Sequence, residues 1–241
     1  MPVTLFCSGG TFMTTAKLDD LYQATNEKTT ALWREDQAAG KARIGEYYDP
    51  HKLALASGLQ PRLPAAVEEL LNDIRQLTSG DPLADVLPDN AFHFTFLPIT
   101  LPLYDENEAL PGKTDSLLSL WSEYQDKRVT IAELRLVALP SQLLLAGIPD
   151  VWAVELRHRF CEEIAGSAWR EELLDRHKNT PLPAPFWHST LLRYRAQMLP
   201  ASLRDYFHER RERRYGEVAG ELKLARVNYN WSRRYPAAGA G

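Results

Sequence analysis

Two segments, Phe92-His93-Phe94-Thr95-Phe96-Leu97 and Trp187-His188-Ser189-Thr190-Leu191-Leu192, each set a histidine two residues before a threonine in an apolar run. In an extended strand side chains alternate between faces, so His93 and Thr95 share one face and Phe92, Phe94 and Phe96 the other. The second segment puts His188, Thr190 and Tyr194 on one face, with Trp187, Ser189, Leu191 and Arg193 opposite. Cleaving a phosphodiester without a metal needs a base for water, an acid for the departing oxygen and donors for the phosphoryl oxygens. Two imidazoles with an ordinary pKa of about 6.5 can hold opposite protonation states near neutrality, and each threonine sets a hydroxyl about 6 to 7 Å along the strand from its histidine.

The elements that must position these residues can be read from periodicity. A helix is expected over residues 16–39, with Leu18, Leu21, Tyr22, Ala24 and Leu32 at mixed spacing. Residues 40–64 read as loop, broken by Gly45, Pro50, Gly58, Pro61 and Pro64. Val67, Leu70, Leu71, Ile74 and Leu77 define an amphipathic helix that Gly80-Asp81-Pro82 ends. The first motif strand covers residues 91–100, and a helix follows from Asp115, as N-cap, to residue 127. Residues 129–139 and 142–148 form a hairpin around Pro140-Ser141. Asp150 caps a helix to about residue 169, and a proline-rich linker, residues 181–185, delivers the chain into the second motif strand. A helix from Ser202 and a strand over residues 221–229 close the order, so similar parts occur twice. Two lobes facing across a cleft would bring the two histidines together.

Length and composition suit a soluble globular protein: 241 residues, 44% hydrophobic, with six tryptophans, can build a sizeable core. Cys7 and Cys161 are too few for a disulfide framework or a cysteine-type zinc site, which fits a reducing cytoplasm. The N-terminus has no basic region and only a short apolar run, so neither a signal peptide nor a membrane span is expected. Net charge is −4, yet residues 186–241 carry 11 Lys+Arg against 5 Asp+Glu, whereas residues 1–185 carry 17 against 27. That basic end could draw a phosphate-rich ligand to the second motif; the plainer reading is a solvated helix face over residues 204–214.

The paired motifs resemble the tandem H-x-[ST]-hydrophobic signature of the 2H phosphoesterase superfamily, the LigT-like and cyclic-phosphodiesterase-like enzymes. The resemblance implies an α+β fold of two antiparallel-sheet lobes, related by pseudo-twofold symmetry about a central cleft, with helices outside. It implies a phosphodiesterase acting on 2′,3′-cyclic phosphates, RNA ends or related nucleotides, with no obligatory metal or cofactor. The catalytic histidines would correspond to His93 and His188 and the phosphate-contacting hydroxyls to Thr95 and Thr190. Residues 61–149 would form the first lobe and residues 150–241 the second, with strand exchange between them allowed. Ser189 stands where such strands are usually apolar, and residues 1–60 exceed what compact members need; they read as an added element that covers the cleft or selects the ligand.

Tyr194, on the His188 face, is a candidate substrate contact, whereas Arg193 and Arg195 point away by alternation. His51, His158, His177 and His208 show no zinc-ligand spacing and read as surface or core residues. Cys7-Ser8-Gly9-Gly10-Thr11 reads as a plain turn after a short strand over residues 3–7. The alternative to an enzyme is a nucleotide- or RNA-binding protein on the same fold, without turnover. No membrane partner is expected.

Overall fold

The computed structural model describes residues 15–35, 40–42 and 48–237, so the expected strand at residues 3–7 and the glycine turn lie outside the described residues. In chain order the elements are α1 (Thr15–Glu35), β1 (Ala54–Leu59), α2 (Ala65–Leu77), β2 (Ala84–Val86), β3 (Phe94–Pro98), α3 (Thr114–Trp121), β4 (Arg128–Leu139) and β5 (Gln142–Pro149). These are followed by α4 (Val151–Ala165), α5 (Arg170–Arg176), β6 (His188–Tyr194), α6 (Ala201–Arg210), β7 (Val218–Glu221), β8 (Lys223–Val227) and β9 (Arg234–Pro236). The strands form two antiparallel sheets, ordered β3-β1-β8-β9 and β2-β6-β5-β4-β7. The fold is α+β, and each motif strand lies in a different sheet.

A cut at residue 150 does not separate the sheets. β1 pairs with β3 on one side and with β8, from the C-terminal end, on the other, while β5 pairs with β6 and β4 with β7. The expected single strand over residues 221–229 is two: β7 pairs with β4, and after the buried Leu222 the chain changes sheet, so that β8 pairs with β1. One apolar cluster joins both sheets, with Phe94 and Phe96 from β3 and Leu191 and Leu192 from β6 in it.

Residues 54–59, expected as loop, are the strand between β3 and β8. The segment Ala-Leu-Ala-Ser-Gly-Leu has weak β-propensity, which hides it in the sequence. Its glycine has a structural reason: a Cβ on Gly58 would stand 2.5 Å from the Phe94 carbonyl oxygen and 2.7 Å from the Trp231 ring. The helix expected from Asp115 starts at Thr114, with Asp115 in its first turn and Lys113 at the cap position. Asp150 does precede α4, but its carboxylate accepts the Thr130 N–H at 2.8 Å and ties the helix to β4. The helix expected to run to residue 169 ends at Ala165, and α5 follows it.

Among the described residues none of α1 lines the cleft, whereas Tyr48, Ala54 and Ala56 from the first 60 residues do. α1 closes the edge of β4 beyond the short stretch that β7 pairs with. The Asn26 side-chain amide donates to the Leu136 carbonyl at 3.3 Å and accepts the Ala138 N–H at 2.8 Å, standing in for a neighbouring strand. Thr29 donates to the Ala138 carbonyl at 2.8 Å and Trp33 to that of Pro140 at 3.1 Å. An open strand edge leaves unpaired amides and invites foreign strands, and these side chains satisfy it. Asn26→Ala and Thr29→Ala are each expected to destabilise the protein by about 1 to 3 kcal/mol, the cost of stranding a part-buried backbone group. The check is a lower urea midpoint at unchanged m-value; midpoints equal to that of the parent protein would count against this role.

Candidate functional site

β3 and β6 lie against each other where the sheets meet, and His93, Thr95, His188 and Thr190 all line one cleft of about 270 Å³ between them. Neither threonine hydroxyl has a protein partner among the described residues, so both donors are available. Each motif strand carries a bulge at the third residue after its histidine. On β3 the pairing jumps from Gly58↔Thr95 to Ser57↔Leu97, leaving Phe96 extra; on β6 it jumps from Leu144↔Thr190 to Leu143↔Leu192, leaving Leu191 extra.

The second bulge corrects the strand alternation. One extra residue turns every later side chain to the opposite face. Arg193 therefore joins Thr190 and His188 on the cleft side, opposite Gln142, which also lines the cleft. Tyr194, expected as a substrate contact, turns away, and its hydroxyl donates to the Asp81 carboxylate at 2.8 Å. The cleft lining does not include it.

His93 stands just ahead of β3, after a tight turn, Asp89–Ala91. Its Nδ1 is 2.7 Å from the Ala91 carbonyl oxygen. A carbonyl only accepts, so Nδ1 carries the hydrogen and the neutral ring keeps its lone pair on Nε2. The ring lies flat on the Trp231 indole, with centroids 5.0 Å apart and planes at 14°.

The backbone ahead of His188 is fixed from two sides. The buried Tyr22 hydroxyl of α1 donates to the Gly147 carbonyl at 2.9 Å and accepts the Trp187 N–H at 3.2 Å. From α4, the Arg157 guanidinium donates to the Pro185 and Phe186 carbonyls, both at 3.2 Å, and covers the Trp187 ring at 4.2 Å. Phe186 meets Tyr22 and His188 edge-on. His188 Nδ1 is buried with no hydrogen-bond partner among the described residues.

Arg157, Arg176 and Arg193 line the cleft together with His93, His177 and His188, and among the described residues no carboxylate does. Arg157 is 3% exposed and Arg193 8%. Burial pushes the His93 pKa down to about 3; the bond to Ala91 opposes this, and the charges of Arg193 and His188 add to it. Burial, then Arg193 and Arg157, push His188 down to about 4. The expectation of ordinary imidazoles in opposite protonation states is thus corrected: burial and the protein's own charges hold both rings neutral at pH 7.

The sequence did not bring Arg157, Arg176, His177, Tyr229 or Trp231 to the site. Arg157 had a signal, since it falls on the buried stripe of α4 with Ala153, Val154, Phe160, Cys161 and Ile164. His177 is buried at the cleft rim, with Nε2 2.9 Å from the Pro98 carbonyl oxygen. Tyr229 lies under Arg193, at 5.1 Å, and stacks on Tyr48 at 5.8 Å. Trp231 reaches His93 from the loop between β8 and β9. The basic residues of α6 and its C-terminal end do not line the cleft: Arg204 is buried against the Leu199 and Trp33 carbonyls, and Arg210 pairs with Asp73 and Glu209. Among the described residues no three potential metal ligands converge, and no helix is long and apolar enough to cross a membrane.

No family model and no curated protein matches this chain. Among solved structures, the crystal structure of TT0787 of Thermus thermophilus is similar at 15% identity, with a TM-score of 0.44, covering 78% of this chain and 100% of that one. At that level the likeness adds nothing to the site, whose reading rests on its own geometry.

Proposed function

We propose that the protein is a phosphodiesterase that uses His93 and His188 in general acid and base catalysis on a 2′,3′-cyclic phosphate, an RNA end or a related nucleotide. The observation that carries the reading is the convergence of both histidine-threonine pairs on one cleft that also holds three arginines and no carboxylate among its described lining. His93 is the base, because the Ala91 carbonyl leaves its Nε2 lone pair for the cleft. A water oxygen attacks phosphorus while its proton passes to His93 Nε2. The bond from phosphorus to the departing oxygen breaks, and His188 gives that oxygen a proton. Thr95 and Thr190 donate to the phosphoryl oxygens, and Arg157 and Arg193 oppose their charge. The anionic substrate offsets the arginine charges that disfavour imidazolium, so its arrival is what lets His188 hold an acidic proton.

Turnover of a 2′,3′-cyclic nucleotide should fall by about 10²- to 10⁴-fold in His93→Ala and in His188→Ala, with folding retained, and should not respond to a chelator. Full activity in either variant would remove the mechanism. Phosphate binding that survives the double substitution in a protein without turnover would leave a nucleotide- or RNA-binding protein instead.

The pKa directions give a second test. Both histidines are depressed by burial and by neighbouring cations, so a bound anion must raise them, and protons are taken up as it binds between the lower and the raised values. Calorimetry with inorganic phosphate at a pH of about 5.5, in buffers of different ionisation enthalpy, should report net proton uptake, absent in the double histidine variant. Uptake equal in both proteins would contradict it.

The bulge on β6 predicts that Arg193→Gln raises KM and moves both histidine titrations upward, since the arginine charge lowers them. Tyr194→Phe should leave KM unchanged. The reverse pattern in steady-state kinetics would restore simple strand alternation.

A further inference from the structure

Trp231 occupies a conformation that a tryptophan adopts only when its surroundings demand it. Its φ is 62°, in the left-handed region, where a bulky side chain is an outlier. The loop from Asn228 to Arg233 holds it there. The Trp231 N–H donates to the Asn228 carbonyl at 3.1 Å, and the Arg233 N–H to Asn228 Oδ1 at 3.0 Å. Asn228 Nδ2 donates to Ser232 Oγ at 3.0 Å, and the Ser232 N–H to Asn230 Oδ1 at 3.1 Å. Outside the loop, Arg233 pairs with Glu106. Beneath the indole, Gly58 provides the space, because a Cβ there would come within 2.7 Å of the ring. The strained backbone, the polar loop and the glycine all serve one placement: a 4% exposed indole nearly parallel to His93 at 5.0 Å.

That placement acts on a single degree of freedom. The Ala91 carbonyl fixes one edge of the imidazole, but a ring held at one edge still turns about that hydrogen bond. A flat indole on its face stops the turning. The same face bears the negative side of an aromatic quadrupole, which favours a cation above it. We propose that Trp231 is a positioning residue for His93, clamping the imidazole with Nε2 toward the cleft and favouring the charge the ring carries once it has taken a proton. This rests on the reading of His93 as the proton acceptor.

The comparison is between Trp231→Phe, which keeps an aromatic face, and Trp231→Leu, which fills space without one. The leucine variant should lose kcat by about 10²-fold with KM little changed, the effect of a misoriented base, and the phenylalanine variant should recover most of it. If the leucine variant does not fold, Trp231→Met takes its place, with a flexible apolar side chain and no π-face. Equal loss in the phenylalanine and aliphatic variants, or a full kcat in the aliphatic one, would overturn the proposal. A readout independent of turnover is the NMR shift of the His93 ring protons, moved upfield by the indole ring current in the parent protein and released in the aliphatic variant. An unshifted ring in the parent protein would overturn the clamp. A shifted ring in a protein whose His93→Ala variant keeps full turnover would instead overturn the catalytic reading on which the clamp depends.

Discussion

Two buried guanidinium groups and two imidazoles surround one cleft with no carboxylate among its described lining residues, and the site is organised around that concentration of positive charge. Burying a cation without a counter-ion is costly unless its protons find acceptors. Arg157 finds two backbone carbonyls and the face of Trp187, and Arg193 has the Tyr229 carbonyl and ring. The histidines respond differently: they give up their protons, and their pKa values fall to about 3 and about 4. What results is a cleft with neutral bases and fixed cations, suited to a ligand that brings its own negative charge.

Holding such groups in place requires a rigid frame, and much of that frame lies far from them in the chain. Tyr22 joins α1 to the turn into β6, so the N-terminal helix acts on His188 through the backbone of Trp187. The loop between β8 and β9 acts on His93 through Trp231. Each motif histidine thus has one partner from a remote end of the chain. The change of sheet at Leu222 links the two arrangements, since β7 belongs to the His188 sheet and β8 to the His93 sheet.

Legibility of the sequence varied with the range of the interaction involved. The hairpin of β4 and β5 follows from neighbours a few residues apart and is present as expected, and Phe92, Phe94 and Phe96 are all buried, although Phe92 precedes β3 and the bulged Phe96 also lines the cleft. The face of α1 that packs on the sheet was harder, because it runs Leu18, Tyr22, Asn26, Thr29 and Trp33. Two of those five positions are polar, and they face a strand edge that needs hydrogen-bond partners rather than apolar contact. β1 was hidden because alanine, serine and glycine stand in the middle of a sheet, the glycine where Trp231 and the β3 backbone leave no room for a Cβ. Strand alternation put Arg193 on the wrong face, since a one-residue bulge leaves no mark in a hydrophobic pattern.

The α+β class was implied by the resemblance, whereas by itself the sequence determined the residue types for proton transfer and hydroxyl donation, their spacing along two segments, and much of the order of helices and strands. These depend on local periodicity, which the covalent chain carries within a few residues. Only the tertiary structure decided that the two strands belong to different sheets and meet at one cleft, that Arg157 and Arg193 enter it while Tyr194 leaves it, and that both histidines are neutral. Each of those outcomes depends on burial and on pairing between segments far apart in the chain, as Tyr22 with Gly147 illustrates. Desolvation and through-space charge are properties of position in space, and they exist only once the chain has folded.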